Sequence, residues 1–526
     1  MSAVSPRIPI TFAPEGVTVR VESGTTVADA AKAAGIVIAS PCGGRGVCGS
    51  CGVRVLSGTL GEPDHIELSG LARAREGVRL ACRARVVAPV EVRPLIAQPR
   101  ASATGPAGPG GAQPALVAGV DLGTTSVAAV LIDARTRVEI ARSSVPNLQH
   151  PLGADVLTRI SAALDGEGAR LRTMAEQSVL DALSACAIQA DVSLSGVKRL
   201  VIAGNSAMSA LLSGIDTRPL AAHPFTAPAI PRTLKSKLLS DALHSGAEIL
   251  LVPAIASFVG GDALAGLMAT GMTTSGAAVL LVDLGTNAEI LFARPGRLVV
   301  ASAAAGPAFE GAGISCGGPA ADGAVSAVSV APDGRVGLEV MGGGEPLWFS
   351  GSGVVSALAA LLRVGHLDAS GLMHAEGPLE ARYLVDERGV AGLALGEGGG
   401  LVITQLDVRS VQLAKAAIHV GIESVLRIAS CRASELAEVL VAGAFGFSLL
   451  PADLVGLGVL PMETLAIARR VGNSSLDGAG ALALDKKLVD RAERIAASAE
   501  HLELAGPAGF SEAFLAAMAL EPYSLE

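Results

Sequence analysis

The spacing of apolar and polar positions changes period several times along this 526-residue chain. RIPITF at 7–12 and VTVRVE at 17–22 alternate around a Pro-Glu-Gly turn and predict two short strands. From Thr25 to Ala34 the period becomes helical, with Val27, Ala30, Ala31 and Ala34 on one face. VRVLSG at 53–58 and a region around Leu80 to Val92 read as strand again. Together these elements predict a small mixed sheet wrapped over one helix. Residues 98–114, QPRASATGPAGPGGAQP, have no period and predict a linker whose ends stand roughly 20–25 Å apart.

Beyond the linker the pattern is bolder. LVAGVDLGTTSVAAVLID at 116–133 is an apolar strand, a polar Gly-Thr-Thr turn and a second apolar strand. VLLVDLGTNAEILFA at 279–293 repeats it roughly 160 residues later, which predicts two duplicated α/β lobes. A third Gly-rich turn, Val441-Ala-Gly443-Ala-Phe-Gly446, follows the apolar LAEVL. The strongest helical stretch runs from Thr404 to Ser430. Thr404 and Asp407 form its capping box, and Val411, Ala414, Ile418, Ile422 and Val425 its apolar stripe.

Composition narrows the classes. The chain is 50% hydrophobic but only 2% aromatic, and it carries 64 glycines, so its core is built from small aliphatics and its turns are many. A net charge of −9 and so few aromatics argue against nucleic-acid binding. Residues 1–100 hold 12 Lys/Arg and 8 Asp/Glu, a balance of +4, whereas the remainder is at −13. That asymmetry is either a docking signature or incidental. The N-terminus lacks the apolar run of a secretion signal. The longest uncharged apolar candidate for a membrane span, from Pro346 to Leu362, is interrupted by Gly351, Ser352 and Gly353. The expectation is a cytoplasmic protein with no membrane contact.

The densest chemistry lies in PCGGRGVCGSC at 41–51. Cys42, Cys48 and Cys51 form a C-x5-C-x2-C run, and Cys82 follows in LACRARV. Four such thiolates suit a 2Fe-2S cluster, with three on one loop and the fourth from a distant strand. Zinc would call for a second knuckle, and a disulfide framework belongs to short secreted chains. Gly43, Gly44, Gly46, Gly49 and Gly52 let backbone N–H groups approach cluster sulfurs. Arg45, Arg83 and Arg85 either bring positive charge to the cluster or are solvated. Cys186, Cys316 and Cys431 are scattered and read as structural thiols. With this cysteine pattern, residues 1–97 resemble a plant-type ferredoxin of β-grasp fold. The five-residue first gap is similar to that of adrenodoxin-like members.

A hairpin turn carrying Asp and Thr can hold phosphates, with its carboxylate on Mg²⁺. The order of two such hairpins and a third Gly-rich turn resembles the two-lobed ATPase fold shared by actin, sugar kinases and heat-shock chaperones. In that fold Gly123, Thr124, Thr125, Gly285, Thr286 and Asn287 would grip ATP phosphates. Asp121 and Asp283 would position Mg²⁺ or the attacking water, and Gly443, Ala444 and Gly446 would line the adenosine site. The lobes would span 115–275 and 276–526, with connector helices from 252–267 and 472–484. Glu310 in AGPAFEG would be an interlobe polar residue near the nucleotide; turn capping is the competing role for each Asp, and a helix start that for Glu310.

A ferredoxin joined to this ATPase resembles the reductive activators of corrinoid proteins. The likeness extends to NLQHPLGADVLTRI at 147–160, AGNSAM at 203–208, SFVGGDALAG at 257–266, AAGPAFEGAGI at 304–314, ITQLDVRSVQLAKAAI at 403–418 and AGAFGFSL at 442–449. The resemblance implies ATP-dependent transfer of one electron from the cluster to the inactive Co(II) state of a corrinoid methyl-carrier protein. It implies further an upstream electron-donor reductase and a homodimer formed through the ATPase domain. The segments at 147–160 and 304–314 are candidates for partner contact. The rival readings are a ferredoxin-fused small-molecule kinase, an activator of 2-hydroxyacyl-CoA dehydratases, and a plain electron carrier.

Overall fold

The computed structural model describes residues 7–13, 16–34, 36, 38, 51–64, 67, 78–94, 115–443, 449–504 and 510–526. The 98–114 linker, Cys42, Arg45, Cys48, Ala444 and Gly446 lie outside the described residues.

The first sheet has five strands: β1 (Ile8–Phe12), β2 (Val17–Val21), β3 (Gly52–Leu60), β4 (Val78–Leu80) and β5 (Val86–Pro94), in the order β2-β1-β5-β3-β4. The β1–β2 hairpin is antiparallel, and β1 pairs parallel with β5. The Val27–Ala33 helix buries Val27, Ala30 and Ala31 against Ile10, Phe12, Val86 and Val92. This is the expected sheet over one helix. The stretch expected as one strand from Leu80 to Val92 is broken, because Arg83 and Ala84 both donate their backbone N–H to Leu80 O and close a turn. Cys82 therefore sits in a turn, where its thiol is free of the alternation a strand imposes.

The remaining chain builds two sheets of matching topology. One holds β6 (Leu116–Leu122), β7 (Ser126–Asp133), β8 (Val138–Pro146), β9 (Val197–Gly204) and β10 (Glu248–Leu251), ordered β10-β9-β6-β7-β8. The other begins with β11 (Val279–Asp283), β12 (Ala288–Arg294) and β13 (Arg297–Ala303). Two small three-stranded sheets follow. These are β14 (Ala324–Val330) with β15 (Val336–Val340) and β16 (Trp348–Phe349), and β17 (Tyr383–Val385) with β18 (Ala391–Ala394) and β19 (Val402–Thr404). Then β20 (Glu438–Ala442), β21 (Ala468–Gly472) and β22 (Glu500–Leu502) complete the order β21-β20-β11-β12-β13-β22. In both large sheets an antiparallel three-strand meander is extended by parallel strands beside its first strand. The duplication read from the two Asp-Leu-Gly-Thr hairpins is thus a duplication of topology.

The near-continuous apolar strands are buried on both faces, as strands covered by helices on either side require. The Gly168–Ala190 helix lays Leu171, Ala175, Val179, Ala182 and Leu183 toward β7 and β8. The Gln405–Ala429 helix lays its predicted stripe on β12 and β13. Its reciprocal cap is present: Asp407 N donates to Thr404 Oγ1 at 3.2 Å, and Thr404 N donates to Asp407 Oδ2 at 2.8 Å.

By contacts the chain divides into two compact units, Met1–Val252 with Leu482–Lys486, and Pro253–Ala481 with Lys487–Glu526. The division falls ahead of 275/276 because Val259, Ala263 and Leu267 share a core with Val279, Leu281, Leu291 and Leu440. The Gly261–Thr270 and Ser474–Leu484 helices form where connector helices were expected, the second unit holding all of the former and the latter as far as Ala481. They cross in close contact. A Cβ on Gly478 would lie 1.9 Å from Ala265 O, so only glycine fits there. Among the described residues no helix is long and apolar enough to cross a membrane.

Candidate functional site

Cys51 immediately precedes β3, and Cys82 lies in the turn after β4. Ala81 N donates to Cys51 O at 2.8 Å, which holds the two segments together. The two thiols approach to 3.2 Å between Sγ atoms, with no disulfide between them. A disulfide would stand at about 2.05 Å. Two thiolates on one tetrahedral metal at roughly 2.3 Å each stand about 3.8 Å apart. At 3.2 Å the pair is too far apart for a disulfide and nearer to the spacing of two thiolates on one metal. A bidentate ion pair anchors the approach to Cys82: Arg79 Nε and Nη2 donate to Glu67 Oε1 and Oε2 at 2.8 and 2.9 Å, and the buried Glu67 also accepts Leu80 N. Arg83 pairs with Asp64, and Arg85 donates to Gly24 O at 2.8 Å. Both arginines thus have work within the module, and Arg83 keeps its charge one residue from Cys82.

In the first hairpin Asp121 and the Gly123-Thr124-Thr125 turn lie at the end of β6, all but Thr125 partly buried. Sequence reasoning missed what lies under the turn. Asn147 Nδ2 donates to Gly123 O at 2.8 Å, Arg159 Nη2 to Thr124 O at 2.6 Å, and Asn147 N to Thr125 O at 3.0 Å. Asn205 caps the Ser206–Ser213 helix through Met208 N and donates Nδ2 to Thr124 Oγ1 at 3.1 Å. Arg159 is fully buried, and burial pulls its pKa down to about 10, so it remains a cation at neutral pH.

In the second hairpin Asp283 ends β11, opposite Glu289 of β12. Thr286 Oγ1 donates to Glu310 Oε1 at 2.8 Å. That contact places Glu310, the last residue of the short Pro307–Glu310 helix, at the turn. Glu289 is 9% exposed; burial first, then the charges of Asp262 and Asp283, pushes its carboxyl well above the usual range. Asp262, in the first turn of the Gly261–Thr270 helix, belongs to this acidic surround and was not singled out from sequence. A charge inside the apolar run AEILFA was the available signal for Glu289.

The third turn begins beside the second. β11 and β20 run parallel with Asp283 opposite Ala442. Gly443 has φ 128°, and a Cβ there would lie 2.5 Å from Leu284 O. Glycine is required for both reasons. Asp283, Gly285, Thr286, Asn287 and Gly443 thus come together in one unit, while Asp121, Gly123, Thr124 and Thr125 come together in the other. Among the remaining cysteines, Cys186 is buried and raised to about 11 by burial, with its thiol donating to Ala129 O. Burial also raises Cys431.

Comparison with known proteins covers the chain in three consecutive stretches. A 2Fe-2S iron-sulfur cluster binding domain matches residues 10–87, the RACo middle region residues 116–275, and the C-terminal domain of RACo, the ASKHA domain, residues 277–526. The corrinoid activation enzyme RamQ of Eubacterium limosum is 32% identical over 413 residues, 75% of this chain and 68% of that one. The Co(II) methylated amine-specific corrinoid protein reductase of Methanosarcina barkeri is 29% identical over 433 residues, 75% of each chain. A solved reductive activator for corrinoid, iron-sulfur protein superposes with a TM-score of 0.72 at 25% identity, covering 98% of both chains.

Proposed function

The chain belongs to the family of reductive activators of corrinoid proteins, and from that premise we propose how its residues divide the work. The protein is an ATP-dependent activator that returns one electron to the Co(II) state of a corrinoid methyl-carrier protein. Co(I) is restored for methyl transfer, and an upstream reductase replaces the electron. The observation that carries this reading is the union in one chain of two thiols 3.2 Å apart with a twice-built Asp-Leu-Gly-Thr sheet.

Cys42, Cys48, Cys51 and Cys82 would hold the 2Fe-2S cluster, which supplies a one-electron donor near −400 mV when bound. Such a donor faces a poor acceptor, and each 59 mV of uphill transfer costs about 1.4 kcal/mol. Binding that favours the more reducible state of the cobalt partner covers such a gap, and two lobes that respond to ATP can switch that binding. We assign Gly123, Thr124, Thr125, Gly285, Thr286 and Asn287 to the phosphates and Asp121 and Asp283 to Mg²⁺ or the attacking water. Gly443, Ala444 and Gly446 go to the adenosine. The domain plan is a ferredoxin at 1–97, a linker at 98–114 and lobes at 115–275 and 276–526. The working form is a cytoplasmic homodimer joined through the ATPase domain.

The test is optical. Cluster-loaded protein, a reductant, ATP and a Co(II) corrinoid protein are mixed, and the Co(I) band is followed. ATP-dependent growth of that band is expected. ATP turnover that ignores the corrinoid protein, with no Co(I) signal, would favour the kinase reading instead.

A further inference from the structure

The segment at 147–160 was a candidate for partner contact; His150, Leu157 and Thr158 are exposed, whereas Asn147, Gln149 and Arg159 turn inward. Three successive carbonyls of the first hairpin, those of Gly123, Thr124 and Thr125, are all taken up by Asn147 and Arg159. The only cis peptide bond among the described residues is His223-Pro224, so the peptides of the turn are trans. In a trans peptide the carbonyl and the following N–H point in opposite directions. Drawing Gly123 O and Thr124 O onto this platform turns the Thr124 and Thr125 N–H groups to the other side. Successive amides turned one way form an anion-binding concavity.

Arg159 is the unusual member. It is 0% exposed. Its Nε donates to Gly153 O at 2.9 Å, Nη1 to Gln149 Oε1 at 3.1 Å, and Nη2 to Thr124 O at 2.6 Å, with Met208 Sδ 3.1 Å from Nη1. All of these acceptors are neutral. Asp155 is felt only electrostatically. Gln149, which Arg159 contacts, is itself fixed by donating to Leu171 O at 2.9 Å, so the fork is held rigidly. A buried guanidinium ordinarily meets a carboxylate. Here its field is directed through the Thr124 carbonyl, and a charged donor on a carbonyl strengthens the N–H at the other end of the same peptide.

We propose that Arg159 is a positioning residue for the phosphate tail of the nucleotide. It polarises the Thr124–Thr125 peptide from beneath, and a polyanion bound on the opposite face of the turn completes its charge. On this assignment Asn147 and Arg159, the inward-facing members of the segment, belong to the nucleotide machinery. The proposal rests on the reading that the first hairpin meets phosphates.

The experiment compares ATP with adenosine, in Mg²⁺, by calorimetry on the full chain. In Arg159→Met the affinity for ATP should fall roughly tenfold or more while that for adenosine holds. Arg159→Lys keeps the charge without the planar fork and should recover part of the loss. A merely structural role would weaken both ligands together, or neither, and an unchanged ATP-to-adenosine ratio in Arg159→Met overturns the proposal. If that variant does not fold, Arg159→Lys and Asn147→Ala are read by the same ratio, and unchanged ratios in both overturn it. Wild-type protein that binds ATP no better than adenosine overturns the phosphate reading itself, a result distinct from an unchanged ratio in the variants.

Discussion

The two hairpins share the sequence Asp-Leu-Gly-Thr and a strand topology, but not their surroundings. Beneath the first lie amides and a buried guanidinium; around the second lie Glu310, Glu289 and Asp262. Their turns differ too. Six residues separate Asp121 from its cross-strand partner Ala128, whereas five separate Asp283 from Glu289. A duplicated strand pair preserves the strand-turn-strand layout, but the elements delivered to it set the sign of its field. A cationic floor favours an anion, and an acidic surround favours a metal cation or a polarised water. Within the proposed nucleotide site, the surroundings of the first hairpin favour its phosphate role and those of the second its Mg²⁺ or water role.

The largest effect that would break this comparison is at Asp283. Asp283→Asn is expected to lower ATP turnover about a hundredfold or more, with ATP affinity measured in chelator left nearly intact. Lost affinity with intact turnover would make the two hairpins equivalent. A smaller effect is expected at Glu310. The amide in Glu310→Gln still accepts from Thr286 Oγ1, so the turn is kept while a negative charge is removed. The Mg²⁺ concentration for half-maximal turnover should rise severalfold and adenosine binding should not change. An unaltered Mg²⁺ dependence would reduce Glu310 to a purely structural acceptor.

The smallest effect concerns the units that carry the hairpins. In the second unit His419 stacks on Tyr523 with ring centroids 3.6 Å apart. Burial, aided by the charge of Lys415, pulls the imidazole down to about 4 from its ordinary 6.5. Its folded pKa is depressed, so its contribution to stability is present above pH 6.5 and is lost as pH falls through 4. Thermal unfolding of the second unit should therefore drop by a few degrees across that window. His419→Gln should flatten the acid limb relative to the wild type. An acid limb of the same slope in both would remove His419 as the cause.

Much of the plan was legible. Unbroken apolar runs around Gly123 and Gly285 read directly as central strands, because a strand buried on both faces has no polar alternation to confuse the period. The Thr404–Asp407 cap was legible because its partners are three residues apart. Cys82, which stands 3.2 Å from Cys51, was expected from a strand, since nothing local in LACRARV announces the turn. Arg159 was read past for a different reason: a lone arginine on an amphipathic stretch is ordinarily a surface charge.

By itself the sequence determined the cluster-type cysteine spacing, the repeated hairpins and the order of the modules. These are encoded by neighbours in the chain, through period, capping and turn chemistry. Only the tertiary structure decided which groups surround each turn. Arg159 meets Thr124 across 35 positions, and Thr286 meets Glu310 across 24. Such encounters are fixed by the packing of helices on sheets, where burial and close approach give a side chain a charge environment that its sequence neighbours do not specify.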